Sequence, residues 1–157
     1  MSVADAVMFA YIGLSVGDVI AGWLSQVLQS RKKVVLLYLV LTVVSMAMVL
    51  FIPNLPNSTY YILCFILGLA TGYWGLFVTI ASEQFGTNLR ATVTTTVPNF
   101  VRGSVILVTL AFKSLETTGG TIQSALIMGG LTLVLAYFAI YNLEETFGKD
   151  LNYYEKE

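Results

Sequence analysis

The stretch that decides the fold is residues 34–52, VVLLYLVLTVVSMAMVLFI. It contains nineteen residues without a charge. As a helix rising 1.5 Å per residue it would be about 28 Å long, close to the thickness of the hydrocarbon core of a bilayer. Its side chains are apolar on nearly every face, whereas strands that cross a membrane alternate polar and apolar residues. The stretch therefore predicts a transmembrane helix.

Four further stretches have the same character. The five predicted spans cover about 3–27, 34–52, 60–81, 91–112 and 121–141. Short polar loops separate them, so residues 1–142 leave no room for a soluble domain, and residues 143–157 form a tail. We expect an all-α fold, a polytopic transmembrane helical bundle of five spans.

Composition excludes several classes of function. Of the 157 residues 57% are hydrophobic and 11% are charged, whereas soluble domains usually carry about 25% charged residues. The formal net charge of −1 leaves no basic excess to bind nucleic acid. With no histidine and a single cysteine, the usual zinc sites, Ser-His or Cys-His catalysis and an intrachain disulfide are excluded. We expect no enzyme activity, no metal ion and no cofactor.

Basic residues predict the topology. Six of the eight lie in alternate loops or in the tail: Arg31, Lys32, Lys33, Arg90, Lys149 and Lys156. The positive-inside rule places these loops and the tail in the cytoplasm and the N-terminus outside, in a plasma membrane or a bacterial inner membrane. Because an outside N-terminus without a cleavable signal is unusual, we expect missing N-terminal helices or another membrane chain to complete the bundle.

Two spans carry a charge at membrane depth. Asp18 precedes the end of the first span by nine residues, and Arg102 follows the start of the fourth by eleven. Both therefore lie about 14 to 16 Å from the same membrane face. A charge in hydrocarbon costs at least about 2.5 to 3.5 kcal/mol. Either the two line a water-filled path, or they form a buried ion pair, or each pairs with a helix outside this chain.

Polar and small residues extend from both charges along one helix face. On the first span they are Ser15, Asp18, Gly22 and Ser25, and on the fourth Thr92, Thr95, Asn99, Arg102, Thr109 and Lys113. Pro98 lacks an N–H, which predicts a kink and a free carbonyl beside Asn99 and Arg102. We expect Arg102 and Asn99 to contact a solute, and Asp18 to act as a counter-charge or proton carrier.

The third span carries small residues at helical spacing, namely Cys64, Gly68, Gly72, Gly75 and Thr79. This pattern is typical of two helices that approach closely. Tyr73 and Trp74 lie deep in the same span, where they could stack on a solute, although filling the core is the favoured role. The charge-free second and fifth spans are expected to face lipid.

Loops on the predicted cytoplasmic side carry charges of both signs. Arg31, Lys32 and Lys33 lie on one loop, and Glu83 and Arg90 lie on another. Ion pairs that form in one conformation and break in the other would bias a two-state equilibrium, so these residues are candidates for gating. The alternative is that the basic residues only hold the loops in the cytoplasm.

Three stretches resemble motifs of the major facilitator superfamily of secondary transporters. Residues 22–33, GWLSQVLQSRKK, resemble its loop G-x-L-x-D-x-x-G-R-[RK]-[RK], with Gln26 and Gln29 in place of the Asp and Gly. Residues 82–91, SEQFGTNLRA, are similar to its turn E-x-F-[PG]-T-x-x-R-[AG]. Residues 143–151, LEETFGKDL, are similar to its ending L-P-E-T-x-G-x-x-L, with Glu144 in place of Pro.

The motifs occur in the family's order and cover essentially the whole chain. The resemblance implies that the spans correspond to the last five of twelve helices, a partial C-terminal half. It also implies an alternating-access permease or symporter that moves a small polar or anionic solute and is inactive as this chain alone. The alternative is a small non-transporting integral membrane protein that acts as an assembly partner or regulator.

Overall fold

The computed structural model of the chain describes residues 2–52, 55–152 and 154. The five helices are α1 (Val3–Val27), α2 (Arg31–Phe51), α3 (Asn57–Thr71), α4 (Trp74–Glu83) and α5 (Thr87–Asn142). Since these described ranges contain no strand, the prediction of an all-α fold is confirmed. Four helical stretches within them are long and apolar enough to cross a membrane: α1, α2, α3 with α4, and α5. The chain is therefore compatible with a multi-pass membrane protein.

Serine caps fix where the first two helices begin. The Ser2 hydroxyl accepts a hydrogen bond from the Asp5 N–H at 3.4 Å, and the Ser30 hydroxyl accepts one from the Lys33 N–H at 3.3 Å. The bounds of α1 are those of the first predicted span. By contrast, α2 begins three residues before the second predicted span, because Ser30 starts the helix ahead of its apolar part.

The third predicted span is interrupted. Helix α3 ends at Thr71 and α4 begins at Trp74, while Gly72 has a non-helical backbone with φ −80° and ψ 64°. The Gly72 N–H donates to the Leu69 carbonyl, three residues back, at 3.1 Å. Two glycines close together lower the helix propensity of this segment, whereas its hydrophobicity is continuous. For that reason the apolar pattern alone did not predict the interruption.

Helix α5 joins the fourth and fifth predicted spans. The segment 113–120, which the predicted spans leave as a loop between them, stays helical until Gly120, where φ is 75° and ψ is 167°. Glycine adopts a positive φ without strain, so the interruption falls on this residue. The preceding residues include good helix formers such as Lys113 and Leu115, and this explains why the helix continues through the polar segment. The backbone is also helical at Pro98.

The chain divides into two compact units. The first comprises the described residues of 1–77 and 145–148, and the second those of 78–144 and 149–157. The polar segment between the second and third predicted spans falls partly outside the described residues, since it includes positions 53 and 54. The predicted cytoplasmic charge Lys156 also lies outside them.

In the first unit, α3 packs against both α1 and α2. The contact of α1 with α3 depends on glycines, at which a β-carbon would collide with the backbone of the other helix. A β-carbon on Gly13 would lie 2.1 Å from the Phe65 carbonyl oxygen, and one on Gly68 would lie 2.0 Å from the Ala10 carbonyl oxygen. The small residues of the third span therefore do allow two helix backbones to touch.

The second unit is dominated by α5, whose apolar side chains are largely exposed. Along this helix, all of which is described, Ser124 and Ile140 are the buried residues. Phe100 is 75% exposed and Leu107 is 70% exposed. Exposed apolar surface of this extent is expected of a helix that contacts lipid or another chain.

Candidate functional site

Asp18 lies at the interruption between α3 and α4. One oxygen of its carboxylate, Oδ1, accepts a hydrogen bond from the Gly75 N–H at 2.7 Å. The first N–H groups of a helix have no partner within the helix, and the positive end of the helix dipole favours a nearby negative charge. The membrane-depth charge predicted on the first span thus binds the N-terminal backbone of α4.

Aromatic residues surround this interruption. The Tyr38 hydroxyl donates to the Gly17 carbonyl at 2.7 Å, one residue before Asp18. The Tyr38 ring contacts the Tyr73 ring edge-on, with centroids 5.8 Å apart. Trp74 packs against Phe77 with centroids 5.6 Å apart and remains 36% exposed. Tyr73 and Trp74 therefore make aromatic contacts within the chain, next to the site of Asp18.

The other predicted solute residues lie on α5. An open groove of about 560 Å³ follows one face of this helix between Thr95 and Leu107. Asn99 lines the groove, and its side-chain amide donates to the Thr95 carbonyl at 3.0 Å. Arg102 is exposed on the same stretch of helix and lies beside the groove rather than among its lining residues. Asn99 and Arg102 belong to the second unit and Asp18 to the first.

A further polar cluster connects the tail to the start of α2. The Glu145 carboxylate accepts hydrogen bonds from the Ser30 hydroxyl and from the backbone N–H of Arg31, the latter at 2.8 Å. The Arg31 guanidinium donates to the Ser25 hydroxyl at 2.7 Å and lies over the Phe147 ring, 5.4 Å from its centroid. We call this cluster the tail clasp; it consists of Ser25, Ser30, Arg31, Glu145 and Phe147.

The tail clasp favours an ionised Glu145. Partial burial alone would raise the pKa of its carboxyl group, but hydrogen bonds from the Ser30 hydroxyl and the backbone N–H groups of Arg31, Phe147 and Lys32 outweigh burial and hold the pKa below the ordinary 4.5. The negative charge also lies at the N-terminus of α2, where the helix dipole is favourable.

Arg90 connects the end of α4 to the tail within the second unit. Its Nε donates to the Ser82 carbonyl at 3.2 Å, and its Nη2 donates to the carbonyls of Phe85 at 3.2 Å and Leu151 at 2.8 Å. Of the other predicted gating residues, Glu83 is buried. The Lys32 N–H donates to Glu145 at 3.3 Å, and the Lys33 N–H bonds the Ser30 cap.

The sequence predicted no role for Tyr38 or Glu145, and for Gly75 it predicted only close packing between helices. Glu145 lies within the stretch 143–151, so the similarity of this stretch to a family motif could have indicated a role for it. Gly75 belonged to the stripe of small residues, but the hydrogen bond to its N–H follows from an interruption that the pattern did not reveal. Tyr38 stands in a charge-free span and carries no signal of its contact with α1.

Among the residues that the structure describes, no group of three or more His, Cys, Asp or Glu side chains could hold a metal ion. Comparison with known protein families, curated proteins and solved structures finds no match to this chain.

Proposed function

We propose that this chain is part of a secondary active transporter of the major facilitator type, which moves a small polar or anionic solute across a membrane by alternating access. The observation that carries the proposal is the Asp18 carboxylate bound to the Gly75 N–H, at the interruption of a predicted membrane span. Discontinuous helices whose free backbone groups meet charges near the bilayer midplane are a recurring feature of transporter sites.

The lengths of the helical segments support five spans. A straight helix of the length of α5, 56 residues, would extend about 84 Å, far beyond a hydrocarbon core of about 30 Å. Gly120 divides α5 into segments 87–119 and 121–142, each long enough to cross once. With α1, α2 and the pair α3–α4, these two segments make five crossings.

We place the basic loops and the tail in the cytoplasm and the N-terminus outside, on the positive-inside rule. The bilayer is plasma membrane or bacterial inner membrane. The exposed apolar side chains of α5, such as Phe100 and Leu107, support contact with lipid and with helices that this chain does not supply. Missing N-terminal helices or another membrane chain would provide the second wall of the solute path, since carriers of this class bind between two related halves.

In this proposal Asp18 is the coupling group and Asn99 and Arg102 are solute contacts. A carboxylate that accepts a helix N-terminal N–H loses part of this interaction when it is protonated, so proton binding would loosen the contact of α1 with α4. The tail clasp and Arg90 would hold the cytoplasmic ends of the helices in one conformation and release them in the other.

The test uses membrane vesicles from host cells that carry either the wild-type chain or Asp18→Asn at its natural locus. Asparagine keeps an oxygen that accepts the Gly75 N–H but does not titrate. With radiolabelled polyols and carboxylates as probes, we expect the variant to lose accumulation driven by a proton gradient and to keep solute exchange at equal pH. A matched control is Val134→Ala, since Val134 is 67% exposed on α5; it should retain both activities.

Equal losses of accumulation and exchange in Asp18→Asn would contradict the coupling role. If removing the chain from the host changes the uptake of no probe, the transport function itself is contradicted, and the assembly partner or regulator becomes the better account. The exposed apolar surface of α5 is the observation that favours this alternative, because such a surface also suits a helix that binds another membrane protein.

A further inference from the structure

The groove on α5 indicates which class of solute the proposed transporter carries, and this inference rests on the proposed function. The groove measures about 560 Å³, within the range of about 300 to 1,000 Å³ that small-molecule sites occupy. Its polar lining consists of Thr95, Thr96, Asn99 and Ser104. Most of the lining surface is nevertheless apolar, and Phe100, Gly103 and Leu107 contribute to it.

The hydrogen bonds of the lining residues determine what the groove offers to a ligand. Thr95 bonds the Thr92 carbonyl at 2.9 Å, Asn99 bonds the Thr95 carbonyl at 3.0 Å and Ser104 bonds the Val101 carbonyl at 2.7 Å. A carbonyl oxygen can only accept, so each side chain must be the donor. The hydroxyl hydrogens of Thr95 and Ser104 are thereby used within the helix, and their oxygen lone pairs remain for a ligand.

Two lining side chains, Asn99 and Thr96, can make further hydrogen bonds to a ligand. The Asn99 amide uses one of its two hydrogens on the Thr95 carbonyl and keeps its own carbonyl oxygen as an acceptor. Among the described residues, the Thr96 hydroxyl has no hydrogen-bond partner. The groove therefore presents more acceptors than donors, and its best ligand brings several donors of its own.

The absence of charged side chains from the lining narrows the class of ligand further. No acidic or basic side chain lines the groove. An anion would meet acceptor oxygens in place of the donors that anion sites require, and a cation would lie close to Arg102 without a counter-charge in the groove. The remaining class is a neutral molecule rich in hydroxyl groups.

We propose that this face of α5 binds a neutral polyol, whose hydroxyl groups donate to Thr95, Thr96, Asn99 and Ser104. The Phe100 ring, 75% exposed beside them, offers an apolar surface to the C–H groups of the carbon skeleton. Asn99 fixes the orientation of the solute because it both donates and accepts. Arg102 is not among the lining residues, so of the two solute contacts proposed above this assignment keeps Asn99 and drops Arg102.

Two probes with the same carbon skeleton test the proposal: glucitol, which is neutral, and gluconate, which carries a carboxylate. The full chain is placed in lipid nanodiscs, and binding is measured by saturation-transfer NMR, which detects weak ligands. We expect saturation transfer to glucitol and little to gluconate. Thr96→Val and Asn99→Leu remove polar groups with little change of size and should each weaken glucitol binding about tenfold.

Gly130→Ala is the control for general effects on α5, because nothing lies within 4 Å of the added β-carbon and Gly130 does not line the groove. It should bind glucitol like the wild type. Circular dichroism of each variant confirms that the helices are intact. Equal or stronger transfer to gluconate, transfer to neither probe, or unchanged glucitol binding in both Thr96→Val and Asn99→Leu would each overturn the proposal.

The outcomes separate this inference from the proposed function. If Asp18→Asn loses accumulation but keeps exchange, while gluconate binds better than glucitol, the chain is a carrier and the polyol assignment is wrong. If glucitol binds as expected while Asp18→Asn leaves accumulation unchanged, the groove is a polyol site and the coupling role of Asp18 is wrong.

Discussion

The first unit and α5 both contain long apolar helices, yet they differ in how their backbones and polar groups are packed. In the first unit, glycines bring the backbones of α1 and α3 into contact, and Asp18 binds the Gly75 N–H on another element. In α5, hydroxyl and amide groups bond carbonyls of their own helix, and the apolar side chains remain exposed. The comparison teaches that the first unit obtains its packing within the chain, whereas the surface of α5 suits lipid or another helix.

The largest expected effect tests the packing of the first unit. Gly13→Ala would bring a β-carbon to 2.1 Å from the Phe65 carbonyl oxygen, a backbone atom that cannot move alone. We expect a loss of about 3 kcal/mol in the free energy of unfolding, at the upper end for overpacking. Unfolding in detergent can be followed by tryptophan fluorescence, because Trp23 and Trp74 both belong to the first unit.

Gly22→Ala on the same helix is the matched control, since nothing lies within 4 Å of its added β-carbon. It should be neutral or slightly stabilising, because alanine is the better helix former. Equal stability of the two variants would mean that α1 and α3 do not touch as described, and the contrast with α5 would disappear.

A smaller effect is expected when the acceptor for the Gly75 N–H is removed. Asp18→Leu leaves this N–H without its carboxylate partner and should destabilise the chain by about 1 to 2 kcal/mol. Asp18→Asn keeps an accepting oxygen and should stay closer to the wild type in the same fluorescence assay. If leucine and asparagine have the same effect, the hydrogen bond contributes nothing to the interruption between α3 and α4.

The tail clasp should make stability depend on pH. The pKa of Glu145 is lowered on folding, so its contribution is complete above the ordinary value of 4.5 and is lost as pH falls through the lower folded value. Glu145→Gln should lower the free energy of unfolding near neutral pH by about 1 kcal/mol, a small value because the residue is partly exposed. The variant should also lose less stability than the wild type when the pH is lowered. Melting temperatures between about pH 7 and about pH 3 measure both effects.

The neighbouring Glu144 provides the control for the tail clasp. Its side chain is 80% exposed and contacts Lys149 at 3.8 Å, a pair of little energetic weight. Glu144→Gln should follow the wild-type profile. If both glutamine variants have the same pH profile, the tail clasp does not account for the loss of stability at acidic pH.

The smallest effect is expected on α5. Gly130→Ala replaces a glycine inside the helix, where nothing lies within 4 Å of the new β-carbon, and should stabilise it by about 0.5 to 1 kcal/mol. Loss of helical circular dichroism on heating measures this in the isolated chain. Destabilisation of the isolated chain would show that this face is already packed, and the difference between the two regions would be smaller than described.

Hydrophobic runs predicted most of the helices, because apolar residues extend over most of the length of each of these helices. The apolar stretch 3–27 predicted the bounds of α1 correctly. The helical spacing of small residues in the third span predicted the close contact that this span makes with another helix. The interruption after Thr71 and the continuity through residues 113–119 were not predicted. The interruption depends on the backbone conformation at Gly72, and the continuity depends on helix-forming residues such as Lys113 and Leu115; the hydropathy of these segments gives no sign of either.

The candidate site was predictable in its charges and less so in its contacts. Asp18 and Arg102 are recognisable because a charge within an apolar span is costly. The partners of Asp18 and Glu145 are backbone N–H groups at helix N-termini, and these exist only once the helix ends are known. The donor pattern of the α5 groove likewise depends on side-chain geometry rather than on residue type.

Accessibility of α5 to water in a membrane tests the central claim most directly. In a Cys64→Ser chain, single cysteines replace Asn99 on the polar face and Phe138, which is 67% exposed, in the charge-free segment. A membrane-impermeant thiol reagent is then applied to either side of native membranes. The account predicts that position 99 reacts about tenfold faster than position 138, because its face borders water. Equally slow reaction at both positions, from both sides, would contradict a solute path along α5.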